Sequence, residues 1–123
     1  MPLRAATFAL LGLRVAYGVA LIVAPERLAL RWLGPAAGEA PTQVALRGLG
    51  AREIVVHGAA IAAVLNDLPV RPFLAASAAG DLADIAATVG GRRGLPPGAA
   101  PATLAVAGGS ALLTVGLAAA VDR

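Results

Sequence analysis

The stretch TQVALRGLGAREIVVHGAAIAAVL, Thr42 to Leu65, has the length and apolar content of a membrane-crossing helix, yet it carries Arg47, Arg52, Glu53 and His57. About 20 apolar residues suffice to cross the hydrocarbon of a bilayer as a helix. An ion held near the middle of such a helix costs about 2.5–3.5 kcal/mol even on the more lenient scales, so it persists where it is paired or used. Thr42 is in position to cap this helix, and Asn66-Asp67 followed by Pro69 ends it.

Outward from this segment, three more stretches read the same way. A first span is expected over Leu3 to Ala24, a third over Pro72 to Val89, closed by Gly90-Gly91, and a fourth over Ala102 to Val121. Between the first two spans, Glu26 to Leu33 alternates Leu28, Leu30, Trp32 and Leu33 with Arg27 and Arg31 and is too short to cross. It reads as an interfacial helix opened by Pro25, with Trp32 at headgroup depth. The expected fold class is all-α: a four-helix transmembrane bundle with a short interfacial helix between spans 1 and 2, in one domain covering residues 1–123. Met1 to Ala24 resembles a signal peptide in outline, but Arg14 interrupts its apolar centre, so a retained first helix is expected.

Composition agrees. With 59% hydrophobic and 14% charged residues and a mean hydropathy of +0.80, the chain lies far outside the range of a soluble domain. Multi-pass insertion in the cell membrane is the expected location. Cysteine is absent, which excludes disulfides, thiolate metal sites and thiol nucleophiles. An isoelectric point near 11.1 suggests nucleic acid at first sight. However, all ten basic residues are arginine, three of them lie inside expected spans, and one Trp and one Tyr offer little for base stacking; no nucleic-acid partner is expected. Orientation is weakly encoded: Arg27, Arg31, Arg92 and Arg93 fall on one side, and Arg4, Arg71 and Arg123 on the other, a bias toward both termini outside.

Depth follows from the helical rise of 1.5 Å per residue. Arg14, Arg52, Glu53 and Asp81 fall near the centres of their spans, with Asp84 and Arg47 a turn or so away. Three arginines thus face three carboxylates, and the layer can be neutral. At about 100° per residue, Glu53 shares a face with His57, Arg14 with Tyr17 and Gly18, and Asp81 with Asp84 and Thr88. Arg47 and Arg52 are about 140° apart, so one of them must look elsewhere. In the fourth span, Ala105, Gly109, Leu112, Gly116 and Ala120 offer a small-residue face for close packing, as do Gly12 and Gly18 in the first span and Gly48, Ala51 and Gly58 in the second.

The segments Arg14-x-x-Tyr17-Gly18, Ala24-Pro25-x-Arg27-Leu28, Trp32-Leu33-Gly34-Pro35, Arg47-x-Leu49-Gly50-Ala51-Arg52-Glu53 and Asp81-x-x-Asp84 resemble a family of small four-span integral membrane proteins of unknown function. The resemblance covers nearly the whole chain and implies the topology; it brings no activity or catalytic residues with it. In size and style the chain is also similar to small cofactor-free membrane enzymes that tailor polyketides and terpenes.

The functional expectation is a pocket between the first three helices that receives a lipophilic small molecule laterally from the membrane lipid. Glu53, Asp81, Asp84 and His57 are the candidate catalytic groups; Arg14, Tyr17, Arg47 and Arg52 are the candidate substrate-binding groups. A protonated Asp81 or Glu53 would donate to an oxygen, Asp84 would activate water or a hydroxyl, and Arg14 or Arg52 would stabilise negative charge. Isomerisation, cyclisation and epoxide opening fit this set. No cofactor is called for, and no metal, since three arginines repel a cation and no Glu-x-x-His is present. The alternatives are a proton-coupled small-molecule transporter, for which small size favours a homodimer, and a scaffold in which the ion pairs only fix helix order.

Overall fold

A computed structural model describes residues 2–121; Arg123, counted above toward orientation, lies outside them. Five α-helices follow in order: α1 (Pro2–Val23), α2 (Pro25–Leu33), α3 (Ala40–Leu65), α4 (Arg71–Gly90) and α5 (Ala99–Ala120), with short 3₁₀ segments over Gly34–Gly38 and Arg92–Gly94. The long helices α1, α3, α4 and α5 are each apolar and long enough to cross a membrane. The fold is an all-α four-helix bundle with α2 packed against its end, and the chain is a multi-pass membrane protein.

Helix ends follow the prolines more than the polar residues. Thr42 is not a cap, because Pro41 occupies the first turn of α3, where its missing N–H costs nothing, and Glu39 stands at the N-cap with φ −76° and ψ 139°. At the other end of α3, Asn66 Nδ2 donates to Ala62 O at 2.7 Å, and Asp67 turns the chain with φ 54°. Arg71 then closes the end of α5, donating from Nε to Ala118 O and from Nη2 to Val121 O, both at 2.7 Å. A cation at a helix C-terminus both bonds the terminal carbonyls and suits the dipole.

Within the bundle α1 runs along α3 and α4 along α5, and the two pairs meet across a narrower α3–α4 contact. The α1–α3 approach is set by two glycines: a Cβ on Gly18 would lie 2.6 Å from Gly50 O, and one on Gly50 would lie 2.5 Å from Gly18 O. Of the other glycines expected at close contacts, Gly12, Gly48 and Gly58 have nothing within 4 Å of a Cβ position. The expected small-residue face of α5 is also corrected. Leu112 is 77% exposed, and Cβ atoms on Gly109 or Gly116 would meet open space; α5 instead turns Ala111 and Thr114 inward. Polar groups in hydrocarbon must find protein partners, and this requirement outweighs the small-residue pattern.

The burial pattern is that of a protein built for lipid. Leu13, Val44, Val55, Leu82, Val106 and Leu113 are exposed, whereas Thr7, Arg14, Glu53, His57, Ser77, Asp81, Thr88 and Thr114 are buried. Two apolar clusters bracket this polar interior. Leu11, Ala60, Val70, Leu74 and Val121 pack toward the termini, and Leu21, Ala29, Ala37 and Leu46 pack toward α2.

Candidate functional site

Arg14, Glu53, Asp81 and Ser110 each lie within about two residues of the midpoint of their helix, on α1, α3, α4 and α5 respectively. All four meet. Arg14 Nε donates to Glu53 Oε2 at 2.8 Å, and Nη2 donates to Glu53 Oε1 at 2.9 Å. The same Nη2 donates to Asp81 Oδ1 at 2.8 Å, while Nη1 donates to Asp81 Oδ2 at 3.0 Å and to Ser110 Oγ at 2.6 Å. A guanidinium has five N–H groups in a fixed plane, and here each has an acceptor. Only arginine can fork to two carboxylates at once in this way.

His57 extends the cluster by one turn of α3. Its Nδ1 donates to Glu53 O at 2.7 Å and lies 3.4 Å from Glu53 Oε2, and its Nε2 lies 2.7 Å from Ser77 Oγ on α4. Because a carbonyl oxygen can only accept, Nδ1 carries a proton, and in the neutral ring Nε2 is the acceptor for the Ser77 hydroxyl. Every buried side-chain nitrogen and oxygen among the described residues has a hydrogen-bond partner.

The remaining expected groups lie around this centre. Arg52 Nη2 is 3.8 Å from Asp84 Oδ1, with about half of the Arg52 side chain exposed. Arg47 stands apart, its Nε donating to Ile22 O at 3.3 Å near the exit of α1. The expected charge balance therefore changes: without Arg47, two arginines face three carboxylates. Tyr17 and Asp84 line a cavity of about 280 Å³ together with Leu28, Arg31, Trp32, Leu49, Thr103 and Val106. This cavity is bordered by α2 and the first half of α5. Of the first three spans, Tyr17, Leu49 and Asp84 line this cavity, while Arg14, Glu53 and Asp81 are bonded to one another and are not among its lining residues. A second cavity of about 220 Å³ opens between α3 and α4, lined by Arg52, Glu53, Val56, His57, Ala76, Ser77 and Gly80.

Two polar side chains at these sites, Ser77 and Ser110, have no place in the sequence reading, whereas Thr88 shares the expected face of Asp81 and Asp84. Ser77 and Ser110 carry no charge, so a search for ions passes over them, although they are the chain's two serines and both sit near mid-helix. Thr88 accepts a hydrogen bond from Trp32 Nε1 at 3.1 Å, which fastens α2 to the end of α4, and Trp32 itself lines the cavity of Tyr17 and Asp84. Among the described residues no cluster of three His, Cys, Asp or Glu side chains is arranged to hold a metal ion.

Comparison with family models, with curated proteins and with solved structures finds no match for this chain. Fold and site together define a class: an α-helical multi-pass membrane protein whose spans are joined at mid-depth by a hydrogen-bonded ionic centre.

Proposed function

We propose that this chain is a cell-membrane enzyme that performs cofactor-free acid–base chemistry on a lipophilic small molecule. The observation that carries the reading is the cavity in which the Tyr17 phenol and the Asp84 carboxylate share walls with Leu28, Trp32, Leu49 and Val106. Binding sites for small molecules are mostly apolar, with a few convergent polar groups, and this cavity has that make-up. Asp84 is the base, drawing a proton from carbon or from a hydroxyl. Tyr17 donates to the oxygen on which negative charge develops. Glu53 and Asp81, whose four oxygens all accept from Arg14, leave the donor role to Tyr17. Arg14 is likewise engaged through every N–H, so it holds the frame and leaves substrate to the cavity groups. Isomerisation suits this pair best, since it moves a proton within one molecule and needs no leaving group.

The test is conversion of lipophilic metabolites by the protein in nanodiscs, followed by mass spectrometry. Wild type should convert a compound that Asp84→Asn, folded and monodisperse, leaves unchanged. Equal conversion by that variant contradicts the assigned base.

A second reading, proton-coupled transport, has its own support. Arg14 brings one positive charge to two buried carboxylates, so the centre carries a formal negative charge that a bound proton would cancel. Intramembrane carboxylates serve proton relays in this way. Substrate accumulating unchanged inside liposomes, with matching proton movement, would favour transport over catalysis.

A further inference from the structure

The cavity between α3 and α4 contains an arrangement that the acid–base reading does not use. Ser77 Oγ lies 2.7 Å from His57 Nε2, and the other ring nitrogen is held by Glu53 through its backbone oxygen at 2.7 Å and its carboxylate at 3.4 Å. The tautomer is thereby fixed with the proton on Nδ1, so that the Nε2 lone pair faces the serine hydroxyl. Arg14 in turn clamps both oxygens of Glu53, keeping a negative charge beneath the imidazole. A hydroxyl on a ring nitrogen, with a carboxylate behind the ring, is the geometry by which serine becomes a nucleophile, and it is recognised by roles and not by sequence position.

The surroundings fit an acyl substrate. Ser77, His57 and Glu53 border the cavity, Val56 and Ala76 supply apolar wall, and Arg52 contributes a cation. The Arg52 guanidinium lies beside Gly80 on α4, with Nη2 3.7 Å from where a Cβ would stand, an ordinary contact distance. The lining shares no residue with the cavity of Tyr17 and Asp84.

We infer that Ser77, His57 and Glu53 form a nucleophilic serine site that cleaves carboxylic esters of lipophilic acids reaching the α3–α4 cavity from the bilayer. Ser77 Oγ attacks the acyl carbon and its proton passes to His57 Nε2; the ester C–O bond breaks and the departing alkoxide takes that proton. Water then attacks the acyl-serine, giving a proton to His57. The bond from Oγ to the acyl carbon breaks, the acid leaves, and the proton returns to Ser77. Ester and water become acid and alcohol, with no change in oxidation state. Arg52 faces the oxyanion formed in each half. Glu53 is a positioning residue.

A long-chain alkyl fluorophosphonate, applied to the full chain in nanodiscs and mapped by peptide mass spectrometry, tests this directly. Phosphonylation of Ser77 is expected in the folded protein and not after heat denaturation. His57→Gln, with helical content and elution volume retained, is expected to slow labelling about 100-fold or more, in line with the loss of a general base. Absence of label on Ser77, label on Ser110 instead, equal labelling of denatured protein, or wild-type labelling of folded His57→Gln would overturn the inference. If His57→Gln does not fold, the comparison of native with denatured wild type decides. An interhelical hydrogen bond with no chemistry predicts no native-state label, so a structural role gives the opposite result.

Discussion

The Ser110 hydroxyl lies 2.6 Å from Nη1 of Arg14, and through this contact the one spanning helix without a charged residue joins the charged layer. Ser110→Ala leaves an N–H of a buried cation unpaired, and such a loss costs about 1–3 kcal/mol. Thermal denaturation in detergent should show the loss, with Ser110→Thr, which keeps a hydroxyl, closer to wild type. An unchanged Ser110→Ala would mean that α5 is held by packing alone.

Gly18 and Gly50 should behave differently from their neighbours. Alanine at either position puts a Cβ within 2.5–2.6 Å of the opposing backbone oxygen, so α1 and α3 must separate. Overpacking of this kind costs about 1–3 kcal/mol. Gly12→Ala and Gly48→Ala, with nothing within 4 Å of the new carbon, should be neutral or slightly stabilising. The same melting assay checks all four, and indistinguishable melting temperatures would contradict the α1–α3 crossing.

Trp32 should anchor α2 through Thr88. Trp32→Phe keeps a ring but removes the donor to Thr88 Oγ1, leaving one hydrogen bond unmade, about 0.5–1.5 kcal/mol. Hydrogen exchange is expected to rise across α2 while remaining low near Arg14. Exchange that rises uniformly would show that α2 has no separate attachment.

For catalysis, Tyr17→Phe and Asp84→Asn are each expected to lower turnover about 10²–10⁴-fold, the usual contribution of a positioned acid or base. Arg47→Gln, outside the lining of their cavity and bonded to Ile22 O, should leave turnover within about twofold of wild type. Kinetics on a substrate found by metabolite conversion provide the check.

Much of the frame was legible in the sequence because the bilayer constrains it. Span length and apolarity located the four helices, and the rise per residue put Arg14, Glu53 and Asp81 at one level before any contact was known. The rotation of α5 was not legible. Its glycines and alanines suggest one face, while Ser110 dictates another through its bond to Arg14, far along the chain; Thr114 is buried on the same side and donates to Ser110 O one turn back. The cavity of Tyr17 and Asp84 was hidden for the same reason, since its walls include Thr103 and Val106 of α5 and Trp32 of α2. Thr42 has the side chain of a cap but not its place, because Pro41 itself occupies the first turn and moves the helix start to Ala40.

Central to the account is the pairing of Arg14 with Asp81 across α1 and α4, and a double-mutant cycle measures it most directly. Arg14→Met, Asp81→Asn and the double variant are compared for unfolding free energy in one detergent. Either single change leaves a buried ion short of its partner and should cost about 3–5 kcal/mol, whereas the double variant should recover part of that loss, giving a coupling energy of at least about 1.5 kcal/mol. Additivity of the two single changes within about 0.5 kcal/mol would contradict a shared ionic centre at mid-membrane.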